Sequence, residues 1–318
     1  MKKALLMLLA AVIVGAGVTP ALAEVSAKKK SVAAKKKPQR VSVQFRGKKV
    51  VNARPVRRSM SMDDAQHLAL QSSAVLVQDQ ATGAILFEKN SGSVLPIASI
   101  TKLMTAMVAL DAKPDLNETL AIGEEDVDVL KGTRSRLKVG TQLAREEMLR
   151  LALMSSENRA ASALSRHYPG GREAFVAAMN QKAQALGLVD TRFQDATGLT
   201  AANVSSPRDL AKLVNAAHQY PLIREFSTAS DGEFSIAGRP QHFHNTNTLV
   251  RSPTWEIGLS KTGYINEAGK CLVMQAWLNN KPIIIVLLDS WGKMTRIGDA
   301  NRIKRWVESA SLVRPSAG

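Results

Sequence analysis

The sequence predicts an α/β (α+β) fold, in which a sheet assembled from distant segments packs against helices that lie between them in the chain. Strand patterns occur near both ends of the 318-residue chain, and helical patterns dominate from residue 97 to about residue 220. Strands so far apart can share one sheet only if the intervening helices fold back onto it. We therefore expect a single domain made of two lobes.

Two pairs of segments have the pattern of β-hairpins. Residues 74–79 and 84–89 are apolar runs that flank a turn containing Gly83. Residues 271–278 and 283–288 flank a short Asn-Asn-Lys-Pro turn near the other end of the chain. We expect these two hairpins to supply strands of the sheet.

The predicted helices follow composition and boundary signals. Residues 97–110 follow Pro96 and consist mainly of good helix formers, which predicts a helix there. Residues 172–186 form the clearest later example, with Gly187 at the expected C-terminus. A last helix is predicted at residues 297–309 and completes the domain.

Three short clusters occur in order along the chain: Ser-Ile-Thr-Lys at 99–102, Ser-Glu-Asn at 156–158 and Lys-Thr-Gly at 261–263. Each pattern is common by chance, and an isolated S-x-x-K is usually a capped or solvated helix start. In this order they match the nucleophile, polar bridge and strand triplet of penicillin-binding proteins and serine β-lactamases. The sequence therefore indicates a serine peptidase that works by acyl transfer.

The first cluster has the spacing that nucleophilic catalysis needs. A serine hydroxyl is a poor nucleophile unless a nearby group takes its proton. Positions three apart share a helix face, so Lys102 is expected beside Ser99. Its amine can act as a base if burial and a neighbouring cation such as Lys261 lower its pKa. The backbone N–H of Ser99, at a helix start, is free to face an oxyanion.

The other two clusters are expected to line the same cleft. Ser156 and Asn158 interrupt two apolar helical runs, which indicates a loop that presents polar side chains; a plain helix cap is the alternative. Lys261, Thr262 and Gly263 precede the second hairpin. A glycine in a strand often marks the close approach of another backbone, here a peptide substrate along the sheet edge.

From about residue 72 to about residue 307, the chain resembles the low-molecular-mass penicillin-binding proteins, which are D-alanyl-D-alanine peptidases. The resemblance rests on the three clusters with their flanking residues and on Asn-Thr-Asn at 245–247. It implies the β-lactamase/DD-peptidase fold, an antiparallel sheet flanked by helices plus a helical lobe. Glu157 in the middle motif resembles the endopeptidase members, whereas many carboxypeptidase members carry glycine there.

The resemblance also implies a role for each motif residue. Ser99 would attack a D-alanyl carbonyl, Lys102 would accept its proton, and Ser156 would relay a proton to the leaving amine. Asn158 would bind the substrate amide and hold Lys102. The backbone N–H groups of Ser99 and Tyr264 would form the oxyanion hole. The implied catalytic residues are Ser99, Lys102 and Ser156; the implied substrate-binding residues are Asn158, Lys261, Thr262, Gly263 and Tyr264.

The favoured function is an endopeptidase that hydrolyses D-alanyl-meso-diaminopimelyl cross-links, with peptidoglycan peptides as substrates and β-lactams as covalent inhibitors. Only residues 264–318 follow the last motif, whereas carboxypeptidases of this kind often carry a further C-terminal domain and anchor. A D-alanyl-D-alanine carboxypeptidase remains the alternative. A β-lactamase is less favoured because residues 193–199 lack the deacylating glutamate of class A enzymes. A non-catalytic wall-binding module would not need the three motifs.

The N-terminal region predicts export. Residues 1–23 have the charged start, apolar core and Ala-Leu-Ala end of a cleavable signal peptide, which predicts a periplasmic protein. Residues 24–61 are expected to form a basic, disordered linker, because 13 Lys or Arg and one acidic residue occur between 24 and 58. The catalytic domain then spans residues 62–318. Export argues against nucleic acid as a partner. Two roles then remain open for the basic tail: it binds an anionic membrane or envelope polymer, or it serves as a plain spacer.

Neither a metal nor another cofactor is expected. His242 and His244 alternate along a strand-like segment without further ligand residues at metal-binding spacing, so we interpret them as surface or cleft residues. The lone Cys271 lies in an apolar strand pattern and is expected to be a small core residue.

Overall fold

The computed structural model describes residues 68–292 and 294–311. The predicted signal peptide at 1–23 and basic linker at 24–61 lie outside the described residues. Within residues 68–292 and 294–311, three short 3-10 helices occur at Ala98–Thr101, Glu124–Asp126 and Thr248–Arg251. The helices are α1 Lys102–Asp111, α2 Arg145–Met154, α3 Asn158–Arg166, α4 Gly171–Ala185, α5 Pro207–Ala217, α6 Pro221–Thr228 and α7 Thr295–Ser311. The strands are β1 Ser72–Asp79, β2 Ile85–Lys89, β3 Leu95–Pro96, β4 Thr119–Ala121, β5 Gln142–Ala144, β6 Val204–Ser205, β7 Asp231–Ile236, β8 Arg239–His244, β9 Glu256–Ile265, β10 Gly269–Leu278 and β11 Lys281–Ser290.

The main sheet has five strands in the order β2-β1-β11-β10-β9, and every neighbouring pair is antiparallel. Strand β1 pairs with β11, so Val77 lies opposite Ile285 although 207 residues separate them (285 − 77 − 1). The predicted sheet from distant segments is thus confirmed. Strand β9, which carries the Lys-Thr-Gly motif, forms one edge of this sheet.

Both faces of the sheet are buried. Alternate residues of β11 face opposite sides, because successive side chains of a strand point in opposite directions. Ile283 and Ile285 pack in a core with Trp306 of α7, whereas Ile284 and Val286 belong to the larger core shared with the other helices. This arrangement explains why β11 is an unbroken apolar run, and it holds the β9 edge rigidly against both layers.

The structure confirms the two predicted hairpins, the helix near 172–186 and the C-terminal helix. Gly187 has φ +66°, the left-handed conformation expected just beyond a helix end. The helix predicted at 97–110 differs at its start, because Ala98–Thr101 is a 3-10 turn and α1 begins only at Lys102. The β7-β8 hairpin is an element that the sequence did not predict as a pair of strands.

The predicted core position of Cys271 is also confirmed. Its thiol is fully buried in β10, and this burial raises its pKa to about 11, so the thiolate form is disfavoured. Within the described ranges, no helix is long and apolar enough to cross a membrane.

Candidate active site

Ser99 lies on a tight turn between the sheet and the helical lobe. Two glycines allow other segments to approach this turn. A Cβ on Gly198 would lie 2.0 Å from the carbonyl oxygen of Ala98, and one on Gly263 would lie 3.1 Å from the backbone nitrogen of Ser99. Side chains at these positions would collide with the turn. The glycine of the Lys-Thr-Gly motif therefore lets β9 pass next to the Ser99 backbone N–H.

Lys102 is the first residue of α1, and its side chain is fully buried. Its Nζ donates to Ser99 Oγ at 2.8 Å, to Asn158 Oδ1 at 2.7 Å and to the carbonyl oxygen of Thr197 at 2.6 Å. These three acceptors match the three donors of an ammonium and fix the amine beside the serine.

Burial lowers the pKa of Lys102 to about 7, and the negative charges of Asp195 and Glu157 oppose that change. A substantial fraction of this amine is therefore neutral near neutral pH. A neutral lysine amine 2.8 Å from a serine hydroxyl has the position and the proton affinity of a general base.

Ser156 occupies the three-residue break between α2 and α3 and has φ +62°. Lys261 Nζ donates to Ser156 Oγ at 2.8 Å and to the carbonyl oxygen of Thr262 at 2.9 Å. Burial, followed by the nearby cations Lys102 and Arg296, holds the pKa of Lys261 well below its usual range. The Ser156 hydroxyl is thus held by a second buried amine in a position from which it can pass a proton.

The middle motif is held by a neighbouring loop segment. Asn158 Nδ2 donates to Thr133 Oγ1 at 3.2 Å, and Ser135 Oγ donates to Glu157 Oε2 at 2.7 Å. Burial raises the pKa of Glu157, although the Ser135 hydrogen bond and nearby cations oppose this. Glu157 therefore serves to anchor the motif loop as well as to bring negative charge near Lys102.

Asp195 organises the turn that supplies the Thr197 carbonyl to Lys102. Its Oδ1 accepts from the Thr197 hydroxyl at 2.8 Å and from the Gly198 backbone N–H at 2.6 Å, and its Oδ2 accepts from the Thr200 N–H at 3.1 Å. Both carboxylate oxygens are thereby engaged in the turn. Asp195 is the acidic residue of the 193–199 stretch. Its carboxylate accepts hydrogen bonds from the turn and is therefore not a free base that faces Ser99.

The sheet side of the site is formed by β9. Thr262 Oγ1 is 2.6 Å from Thr246 Oγ1, so the Asn-Thr-Asn segment contacts the Lys-Thr-Gly strand. Arg296 of α7 donates to the carbonyl oxygen of Gly263 at 3.2 Å. The Tyr264 side chain is 55% exposed, and its hydroxyl donates to Asn266 Oδ1 at 2.9 Å.

The structure thus brings together all the residues of the three motifs. His242 and His244 lie exposed on β8, outside this group, and among the described residues no set of three side chains is placed to hold a metal ion. Sequence reasoning missed the contributions of Thr197, Asp195 and Arg296. Asp-Ala-Thr-Gly at 195–198 carried the signal of a side-chain-capped turn, but nothing in the sequence placed Arg296 behind Gly263.

Comparison with known proteins agrees with this geometry. Residues 60–292 match the profile of peptidase family S11, described as D-alanyl-D-alanine carboxypeptidase. The chain belongs to peptidase family S11. Like the other S11 members described below, it is a serine DD-peptidase, a hydrolase, and the expected peptidoglycan peptides and β-lactams agree with that class.

Two S11 relatives are similar over most of their length. The chain is 50% identical to a D-alanyl-D-alanine endopeptidase of Pseudomonas aeruginosa, covering 76% of this chain and 79% of that protein. It is 44% identical to a D-alanyl-D-alanine endopeptidase of Escherichia coli, covering 81% of this chain and 84% of the relative.

Solved S11-like structures confirm the fold. The Streptomyces K15 DD-transpeptidase superimposes with a TM-score of 0.70 at 26% identity, covering 77% of this chain and 98% of the other. A D-alanyl-D-alanine carboxypeptidase of Mycobacterium tuberculosis gives a TM-score of 0.68 at 25% identity, covering 78% and 93%. The predicted antiparallel sheet with flanking helices and a helical lobe is therefore confirmed.

Proposed function

We propose that this protein is a DD-endopeptidase that hydrolyses D-alanyl-meso-diaminopimelyl cross-links of peptidoglycan through an acyl-enzyme on Ser99. The observation that carries the chemistry is the 2.8 Å contact from the buried Lys102 amine to the Ser99 hydroxyl. The choice of an internal bond is supported by the endopeptidase relatives at 50% and 44% identity and by Glu157 in the middle motif.

Acylation begins when Ser99 Oγ attacks the D-alanyl carbonyl carbon while Lys102 Nζ takes the hydroxyl proton. The carbonyl oxygen becomes an oxyanion and accepts from the backbone N–H groups of Ser99 and Tyr264. The carbon-nitrogen bond then breaks as Ser156 gives its hydroxyl proton to the departing amine and takes up the proton that Lys102 gained from Ser99, so that Lys102 is neutral again. Because Lys261 Nζ holds Ser156 Oγ at 2.8 Å, this hydroxyl stays on the leaving-group side.

Substrate binding uses the remaining motif residues. Asn158 binds the amide that precedes the scissile bond and keeps Lys102 in place through its Oδ1. Lys261 and Thr262 bind the acidic end of the substrate, because the buried Lys261 amine and the Thr262 hydroxyl are neighbouring hydrogen-bond donors. Gly263 leaves room for a peptide to lie along β9.

Water completes the cycle by attacking the acyl-enzyme ester and releasing Ser99. With penicillin in place of the peptide, this step is expected to be slow, because Asp195 is engaged in its turn and does not face the ester as a free base. Penicillin should therefore trap the protein. This expectation separates a DD-peptidase from a β-lactamase.

A DD-carboxypeptidase is the second candidate. It is favoured by the description of the matching family profile and by relatives named D-alanyl-D-alanine carboxypeptidase at 31% identity in Bacillus subtilis and 30% in Escherichia coli. The same acyl-enzyme chemistry serves either activity. The difference lies in whether the departing amine belongs to free D-alanine or to a second peptide strand.

The same proposal includes export and the division of the chain. Residues 1–23 are a cleaved signal peptide, residues 24–61 a basic linker and residues 62–318 the catalytic domain of a periplasmic protein. The linker's positive charge gives it affinity for anionic lipid or envelope polymers, at about 1 kcal/mol for each basic residue near such a surface. Vesicle binding by the protein with and without residues 24–58 tests this contact.

The deciding experiment compares cross-linked muropeptide dimers with pentapeptide monomers at equal concentration, with the products separated by mass. We expect faster formation of monomers from dimers than release of D-alanine. Ser99→Ala is the matched control and should abolish both activities. Faster release of D-alanine would assign the protein as a carboxypeptidase.

A further inference from the structure

A cationic groove lies between the tip of the β7-β8 hairpin and the segment that precedes β5. It has a volume of about 730 Å³ and is separate from the serine site. We call it the hairpin groove. The residues that define it for this purpose are Arg136, Lys138, Thr141, Ile236, Arg239 and Gln241.

The hairpin groove carries positive charge that its own surroundings do not neutralise. None of its lining residues is acidic. Within the described part of the chain, neither Lys138 nor Arg239 has a side-chain hydrogen bond or ion pair, and both side chains are exposed. Glu233 of the same hairpin pairs instead with His242 at 2.9 Å. Two free cations therefore face solvent across a groove.

The third cation is held in a fixed position. The Arg136 guanidinium lies 3.5 Å from the centre of the Phe243 ring and also donates to the carbonyl oxygen of His242. An arginine stacked on an aromatic ring keeps its charge and retains donors for another ligand. Arg136 thus ties the groove to β8 and gives it one preorganised anion contact.

Strand β8 connects the hairpin groove to the leaving-group side of the catalytic site. Ser156 and Lys261 mark that side, and Thr246 contacts Thr262 next to it. From Thr246 the chain runs back along β8, past the exposed His244, to His242. The groove begins one residue further on, at Gln241, which is about 17 Å of extended chain from Thr246, so a departing strand of several residues that follows β8 reaches it.

We propose that the hairpin groove binds the anionic peptide strand that departs when a cross-link is cleaved. This inference rests on the proposed endopeptidase function. Beyond the diaminopimelyl group at the cleaved bond, such a peptide strand bears further carboxylates, for which Arg136, Lys138 and Arg239 are complementary partners. Free D-alanine, the leaving group of a carboxypeptidase reaction, is too short to span the path. The groove therefore favours cross-linked substrates over pentapeptides.

The test compares kcat/KM for a cross-linked dimer with the rate constant for penicillin acylation in the same preparation. Penicillin has no peptide strand to reach the groove, so its acylation reports an intact Ser99 site. In Lys138→Ala/Arg239→Ala, the ratio of dimer cleavage to penicillin acylation should fall about 10-fold, since an exposed ion pair contributes up to about a factor of five. The loss should appear mainly in KM.

Two control variants separate charge from structure. Lys138→Arg/Arg239→Lys keeps both charges and should retain at least half of the ratio. Lys281→Ala/Arg305→Ala removes two exposed cations, one at the start of β11 and one on α7, and should leave the ratio unchanged. Raising the salt concentration should slow dimer cleavage more in the unaltered protein than in Lys138→Ala/Arg239→Ala, because salt screens exposed charges.

The outcomes distinguish this inference from the one on which it rests. If the unaltered protein cleaves dimers and Lys138→Ala/Arg239→Ala keeps the same ratio, the groove does not bind the departing strand and the endopeptidase proposal stands. An equal loss of this ratio in both control variants would also contradict the proposal that the groove binds the departing strand. If the unaltered protein does not cleave dimers at all, the endopeptidase proposal fails, and the ligand assigned to the groove fails with it.

Discussion

Lys102 can take a proton from Ser99 only in its neutral form, so the acylation of Ser99 by penicillin should follow the titration of this amine. Burial lowers the pKa of Lys102 to about 7. About half of the amine is then neutral at pH 7, whereas a solvated lysine with its ordinary pKa is neutral in roughly one molecule in 2,500. The fold thus raises the supply of base on the order of 10³-fold.

The rate constant for acylation should rise with pH. The neutral fraction is about 0.09 at pH 6 and about 0.91 at pH 8, so the rate constant should increase about tenfold between them, with its midpoint near pH 7. Stopped-flow measurement with a chromogenic penicillin gives this profile. Lys102→Arg keeps the charge but does not titrate, so acylation should fall by at least ~10²-fold and lose the pH 7 midpoint.

Lys304→Arg on α7 is the matched control, because it makes the same substitution outside the site and should leave both rate and profile unchanged. A flat profile between pH 6 and pH 8 in the unaltered protein would refute the role of Lys102 as the titrating base. Near-normal acylation by Lys102→Arg would do so as well and would transfer the role to another group.

Two further predictions test the nucleophile and the packing around it. Labelled penicillin should form a slowly released adduct that mass spectrometry locates on Ser99, and Ser99→Ala should abolish labelling while circular dichroism shows an intact fold; an adduct elsewhere or rapid turnover of the drug would contradict this. Gly263→Val should reduce acylation by ~10²-fold or more, because even the first added carbon would lie 2.9 Å from the Ile97 carbonyl oxygen and must displace the serine turn. Gly92→Val is the matched control, because a Cβ at Gly92 meets nothing within 4 Å, and a comparable loss there would show that the effect is not specific to the serine turn.

Much of the site could be predicted from the sequence because its chemistry restricts the residue types. A serine that acts as a nucleophile needs a base at a fixed offset, and a 3-10 or α-helical turn places Lys102 next to Ser99 in either geometry. The lowered pKa of Lys102 was expected from burial, and burial is its largest cause in the structure. Gly263 was expected to allow a close approach, and the serine turn is one partner of that approach.

Other features depend on contacts between segments that are far apart in the chain. The Thr197 carbonyl meets Lys102 across 95 positions, and Thr133 meets Asn158 through a loop with no motif of its own. Such contacts leave no periodic or local pattern in the sequence. The β7-β8 hairpin was missed for a related reason, since its alternation of exposed and buried residues includes few strongly apolar side chains.

The sequence by itself determined the type of fold, the order of its main elements and the identity of the candidate catalytic groups, because periodicity and motif chemistry are local properties. The tertiary structure decided how those groups act. Packing buried Lys102 and Lys261 within one site, so desolvation rather than residue type lowers the pKa of both amines, and it brings the pKa of Lys102 to about 7. Contacts among β9, α1 and the α2-α3 break place these two amines around Ser99, because only the folded chain brings residues 99, 156 and 261 together.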